Sequence, residues 1–163
     1  MALNEIFIQR GTPIVISSTG TPQLTFACGS GSGVQSSIFD LGSTRAEAYE
    51  LFAEICAGTA PTAGMTYDIY LASANRTGRL PGGVTGVSGA YLTGTTIGAN
   101  LVQLSYVGSV VATNASGIHA QSMIIYPIMR SGSLILKNST NTPIVNLNSS
   151  ITLTPLIPII ETA

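Results

Sequence analysis

With one histidine (His119), two cysteines (Cys28 and Cys56) and seven carboxylates in 163 residues, few arrangements of reactive groups are open to this chain. Nucleophilic catalysis of the Ser-His-Asp or Cys-His kind needs a histidine or an equivalent base. His119 follows the turn Asn114–Gly117 and opens a strand-like pattern, where a lone imidazole reads as structural or simply exposed. A metal site usually gathers three or four His, Cys, Asp or Glu side chains. One histidine, two separated thiols and scattered carboxylates do not supply that set. The cysteines form no CxxC pair and are too few for a disulfide framework. They read as two small buried thiols; a single disulfide is the alternative, disfavoured in a reducing cytoplasm.

Two carboxylates flanking a cleft can hydrolyse a glycosidic bond. Asp40, Glu47, Glu50, Glu54 and Asp68 are close enough in sequence to raise that idea. Glu50 and Glu54, however, share a solvated face on either a helix or a strand, and a chain without Trp offers a thin platform for stacking sugars. The Gly29–Gly33 run lacks the Lys-Ser/Thr ending of a phosphate loop and the helix that a dinucleotide fingerprint requires. It reads as a flexible hairpin tip. Asn-x-Ser/Thr triplets begin at Asn75, Asn114, Asn138 and Asn148. A Ser/Thr-rich chain produces such triplets by chance, and without export none is glycosylated. No catalytic, cofactor or metal residue is assigned, and the chain reads as a non-enzyme.

Composition points to partners. Charged residues are 8% of the chain, against about 25% in ordinary soluble domains. Ser, Thr, Gly and Asn stand where Lys and Glu usually do. Charge depletion marks surface that lies against other protein, so the expectation is an assembly role. A neutral hydroxyl-rich exterior is the bland alternative. The net charge is −1, and only Arg76 and Arg79 lie close together among the basic residues. Phosphate binding needs clustered cations, so direct nucleic-acid binding is not expected. Mean hydropathy is positive, at +0.43, but a spanning helix needs about 20 apolar residues in a row. The richest stretch, Ile144 to Ile160, is broken by Asn146, Asn148, Ser149, Ser150, Pro155 and Pro158. Met1 to Arg10 lacks the charge-then-apolar order of a signal peptide. Neither membrane insertion nor export is expected.

The elements that must carry these residues are mostly strands, because apolar residues recur at every second position. Tyr67, Ile69 and Leu71 alternate with Thr66, Asp68 and Tyr70, Leu134 and Leu136 with Ser133, Ile135 and Lys137, and Ile151 and Leu153 with Thr152 and Thr154. Ile118, Ala120, Ile124, Tyr126 and Ile128 share one face, interrupted by Ser122. Further candidates are Pro13–Ser17, Leu24–Cys28, Ser36–Leu41, Leu101–Thr113 and Pro143–Asn146. Gly- and Pro-rich clusters separate them, as turns require. Residues 43–58 fit either a helix capped by Ser43 or a strand with Tyr49, Leu51, Ala53 and Ile55 on one face; the flanking strands tip the reading to strand. Gly78 to Asn100 is weakly patterned and is expected to be a contact loop. The fold expected is all-β: a single antiparallel β-sandwich, jelly-roll-like, of about eight to ten strands with at most one short helix. Residues 1–12 form an N-terminal arm or edge strand, and 13–163 the sandwich.

The order of segments has a counterpart. Ser37–Leu71 (SIFDLGSTRAEAYELFAEICAGTAPTAGMTYDIYL) precedes a Gly-rich loop with Leu80-Pro81-Gly82-Gly83; Leu104–Asn114 (LSYVGSVVATN) and Tyr126–Thr140 (YPIMRSGSLILKNST) follow. Together they resemble the small jelly-roll or β-sandwich head decoration (cement) proteins of tailed double-stranded DNA bacteriophages. The resemblance spans roughly Ser36 to Pro155 and rests on loose patterns. It implies a protein assembled in the host cytoplasm that joins the capsid exterior and clamps neighbouring major capsid protein subunits. It also implies a homo-oligomer, with a trimer favoured. No catalytic residue or cofactor is carried over. Contact candidates are Ile6, Phe7 and Arg10 in the N-terminal segment, where Arg10 can pair with a carboxylate, and Arg76, Arg79 and Arg130, since arginine is enriched at interfaces. The alternative is a carbohydrate- or receptor-binding sandwich on a phage tail or fibre; a minor tail or connector protein is a third reading. Fold alone does not separate them.

Overall fold

Alternating side chains give each strand one face for a core and one for something else. The computed structural model describes residues 5–43, 45–74, 79–91, 95–127 and 129–161. In chain order the strands are β1 (Glu5–Arg10), β2 (Ile14–Ser17), β3 (Gly33–Gln35), β4 (Phe39–Asp40), β5 (Ala48–Ala57), β6 (Thr66–Ser73) and β7 (Gly89–Tyr91). After the helix α1 (Thr95–Leu101) come β8 (Ser105–Val111), β9 (Gly117–Ile125), β10 (Ser131–Asn138) and β11 (Ser150–Glu161). They build two antiparallel sheets packed face to face. The first runs β1-β11-β5-β9, with β2 also on β11; the second runs β7-β3-β10-β6-β8, with β4 also on β10. The expected all-β sandwich with one short helix is what the chain forms. The short strands β3, β4 and β7 raise the strand number to eleven among the described residues.

The central core comes from the inward rows of both sheets. Tyr49, Leu51, Ala53 and Ile55 of β5 meet Tyr67, Ile69 and Leu71 of β6 and Leu134 and Leu136 of β10 in one buried cluster. Segment 43–58 therefore resolves as a strand over Ala48–Ala57. Ladders to β11 on one side and β9 on the other fix its period at two, and Phe52 is left on the outward face. A helix would have spread those four apolar residues around its circumference.

Two expectations are corrected and one is refined. Leu24–Cys28 and Pro143–Asn146 form isolated bridges, including Cys28 to Ile144, and not full strands. On β9, the row Ile118, Ala120, Ile124 faces outward, and exposed Tyr126 follows beyond the strand end; His119 and Ile125 are buried. Pairing with β5 decides this, because Ile55 opposes His119 and Tyr49 opposes Ile125. Ile128 lies outside the described residues. Finally, among its described residues the segment Gly78–Asn100, continued to Leu104, is not a plain loop. It supplies β7 and α1 and lies over the outer face of the second sheet, where Val84, Tyr91, Ile97, Leu101 and Leu104 pack on Ala72 and Ile135.

Tight contacts hold that cover in place. The Tyr91 hydroxyl donates to the Gly82 carbonyl at 2.6 Å. Gly82 has φ +65°, and a Cβ there would sit 2.8 Å from Leu104 Cδ2, so this position requires glycine. Under the helix, a Cβ on Gly33 would lie 2.9 Å from Ile97 Cδ1. No helix among the described residues is long and apolar enough to cross a membrane.

Candidate interaction surface

Among the described residues the first sheet has no such cover. Its outward rows carry Val15 on β2, Phe52 on β5, and Ile118 and Ile124 on β9, all exposed. Polar residues intervene and are locked to one another. Ser122 Oγ donates to Glu50 Oε1 at 2.9 Å, and Ser150 Oγ donates to Glu54 Oε2 at 3.1 Å. Arg10 bridges to Glu50 Oε2 at 2.8 Å. The two glutamates that a glycosidase reading would pair are thus engaged on an open sheet face.

At one end this sheet narrows to a ribbon. β11 pairs with β5 only up to Leu156, and from Ile157 to Glu161 its described ladder is with β1 alone. The Gly11 N–H donates to the Pro155 carbonyl at 2.9 Å at the base of the ribbon. Beyond it, alternation places Phe7, Ile157 and Ile159 on one side, with Ile8, Leu156 and Pro158 on the other. Phe7 is 46% exposed and Ile8 66%. The N-terminal segment is therefore an edge strand. Ile6 opposes Ile160 within the ribbon, and Arg10 opposes Leu156 at its inner end.

A groove of about 410 Å³ runs between the ribbon and the sheet. Ile8, Leu156 and Pro158 form the ribbon wall, and Ala48, Ile124 and Tyr126 the sheet wall; Glu47 is the one charged lining residue. Tyr126, 73% exposed, also borders a second, smaller groove of about 210 Å³ shared with Tyr106, Ser73 and Ser105. Tyr106 is held by its hydroxyl contact with Ser109 Oγ at 2.6 Å, which in turn donates to Asp68 Oδ1 at 2.6 Å.

The remaining predicted residues are dispersed. Arg130 donates twice to Asp40, through Nε at 2.7 Å and an Nη at 2.6 Å, on the second sheet's β4–β10 edge. That guanidinium, aided by the Gly42 N–H, holds the Asp40 carboxyl down at about 2 from an ordinary 3.8. Arg79 is exposed at the start of the cover segment, and Arg76 lies outside the described residues. Ile6, Phe7 and Arg10 do come together with the ribbon. Ile8, Ile157 and Ile159 were missed, although the apolar run after Leu153 signalled that the last strand continues past the sandwich.

The groups with chemical potential are packed or separate. His119 is 5% exposed. Its Nδ1 accepts the Thr113 N–H at 3.3 Å, and its ring lies 5.8 Å from the Tyr67 ring. Cys28 and Cys56 are free thiols; burial pushes the Cys28 thiol up to about 11, while Cys56 is half-buried on the outward side of β5. Among the described residues no three His, Cys, Asp or Glu side chains gather. The architecture defines an antiparallel β-sandwich with one self-covered face and one open face. No protein-family model, curated protein or solved structure matches the chain.

Proposed function

We propose that this protein is a non-enzymatic structural subunit of a virion, which binds the outside of a tailed-phage capsid and stabilises contacts between major capsid subunits. One observation carries the reading. The chain covers the outer face of its second sheet with its own residues but leaves the first sheet's outer face open among the described residues, where Val15, Phe52 and Ile118 stand exposed between polar side chains. Beside them Ile8, Ile124, Tyr126, Leu156 and Pro158 line one apolar groove, and contiguous exposed apolar surface on a soluble protein marks a contact with another macromolecule. Low charge over the whole chain suits a surface that lies against protein, and the segment resemblance to phage head decoration proteins supplies the kind of partner. Many weak, identical contacts on one lattice then add up to a large resistance against internal DNA pressure. The test is to incubate the purified chain with heat-expanded capsids lacking it and to count bound copies by cryo-electron microscopy. Ordered density outside the shell, with the first sheet's outer face against capsid protein, is the expected result. Absence of lattice binding overturns it.

A second reading, a carbohydrate- or receptor-binding module on a tail or fibre, draws on the small groove between Tyr106 and Tyr126 with its serine hydroxyls. Glycan-array binding lost on Tyr126→Ala would favour that reading.

A further inference from the structure

We infer that the free edge of β9 is a strand-addition site: an extended segment of a partner polypeptide pairs with Ile118, Ala120, Ser122 and Ile124 through its main chain and sets one apolar side chain in the groove between β8 and β9. The choice of partner, another protein of the virion, rests on the structural-subunit reading; the site itself rests on the geometry of the edge.

β9 ends the first sheet, because its described ladder is with β5 alone. In an antiparallel ladder successive residues turn their N–H and C=O to opposite sides of the strand. At Cys56 the N–H donates to Ser149 Oγ and the carbonyl accepts the Val145 N–H, so both groups turn away from β9. Its neighbour Ile55 therefore turns toward β9, opposite His119. The ladder takes the main-chain groups of His119, Gln121, Met123 and Ile125, and those of Ile118, Ala120, Ser122 and Ile124 point off the sheet. Among the described residues only the Gln121 side chain reaches that edge, donating to the Ser122 carbonyl at 3.4 Å.

Unpaired edges are templates for another chain, and proteins usually blunt them. Here β1 carries Glu5 and Arg10, β8 has a register shift opposite Ile69 and Tyr70, and β7 has three residues. β9 runs nine residues, GIHAQSMII, without proline, Lys, Arg, Asp or Glu, and its register to β5 is unbroken. Alternating donors and acceptors at strand spacing are matched by one kind of occupant, an extended polypeptide.

The groove sets the side chain that such a segment brings. β8 and β9 lie close at Gly108, where a Cβ would stand 2.7 Å from Met123 Sδ. Further along they part, leaving about 210 Å³ between Tyr106 and Val107 on one side and Ile125 and Tyr126 on the other. That is below the roughly 300 Å³ at which small-molecule sites begin, and it suits a single side chain. No lining residue is charged, so the side chain that fits is apolar. The β9 of a second copy is a poor donor, because His119 and Ile125 on its inward row are already buried in its own core.

The probe is a cellulose-bound array of overlapping segments of about ten residues, covering the structural proteins of the virion and read with the full chain. Wild type and Ala120→Val are expected to bind the same segments. Ala120→Pro removes a donor from the free edge but none from the ladder to β5, and should weaken that binding by about tenfold or more. Gln121→Pro removes a ladder donor instead and should have the lower melting temperature of the two. Hydrogen exchange needs no variant. In the free chain the Ala120, Ser122 and Ile124 amides should exchange faster than those of Gln121 and Met123, and they should slow when the strongest segment is added in solution. A wild type that binds no segment, an Ala120→Pro chain that binds as wild type does, or edge amides that stay fast with the segment bound each overturns the inference. Edge amides that slow as the concentration of the chain alone rises assign the edge to a second copy and overturn it too. Lattice binding to capsids without array binding sinks this inference alone; array binding without lattice binding sinks the capsid reading alone.

Discussion

The two outer faces of this sandwich contrast. On the second sheet, residues 79–104 fold back and bury Ala72 and Ile135 under Tyr91, Ile97 and Leu101. On the first, residues of the same apolar character face outward from β2, β5 and β9. The chain therefore has the means to cover a face and uses them once. On the proposed reading, a bare face that sets Val15, Phe52, Ile118 and Ile124 among serines and glutamates is surface for something outside the chain.

Four measurements break or sharpen that contrast. The largest effect is expected from Tyr91→Ala, which removes a ring that is 1% exposed together with its bond to Gly82. Urea denaturation should show a loss of about 3–5 kcal/mol, against less than about 1 kcal/mol for Ile124→Ala on the bare face of dilute protein. Equal losses would erase the distinction between covered and open. Next is Gly82→Ala, whose Cβ would stand 2.8 Å from Leu104 Cδ2 and 2.9 Å from the Asn100 carbonyl. A cost of about 1–3 kcal/mol is expected. Gly31→Ala shares the positive φ but meets nothing within 4 Å, and should cost only about 1 kcal/mol.

Thiol labelling at pH 8 gives the third comparison. Buried Cys28, with its thiol pushed up to about 11, should react only on unfolding, while half-buried Cys56 labels in the native state. A partner seated on the first sheet's outer face should slow Cys56 and leave Cys28 unchanged. The smallest effect belongs to the exposed Asp40–Arg130 pair. Its folded carboxyl sits at about 2, below the ordinary 3.8, so its stabilisation is complete above about pH 4 and is lost as pH falls through the folded value. Asp40→Asn should therefore lower the melting temperature slightly at neutral pH, less near pH 2, and not at all once the pH is well below the folded value.

Where only one face of a strand was apolar, sequence sufficed. Tyr67, Ile69 and Leu71 on β6 and Ile151 and Leu153 on β11 announced both the strand and its buried side. On β9 both rows contain apolar residues, so period two showed which residues share a face but not which face is inward; the register to Ile55 and Tyr49 decides that. The cover segment was hidden for another reason. α1 reads TTIGANL, with Gly98 and two threonines among its seven residues, a poor helix former by intrinsic preference. Packing of Ile97 and Leu101 on the sheet below holds it. The N-terminal half of the ribbon was visible as Ile6, Phe7 and Arg10. Its other half was not assigned as a strand, because Pro155 and Pro158 each remove a ladder donor from the run after Leu153.

β11 also sets a schedule. It pairs with β1, β2 and β5, and so joins strands that are otherwise far apart in the chain. During synthesis β2 is finished 133 residues before β11 begins, from Ser17 to Ser150, an interval on the order of ten seconds. Through that interval β1 and β2 have no ladder partner in the first sheet, so the ribbon cannot form until β11 arrives. Completion of the first sheet is thereby timed to the arrival of β11: a nascent chain can pair β5 with β9 while β1 and β2 still wait.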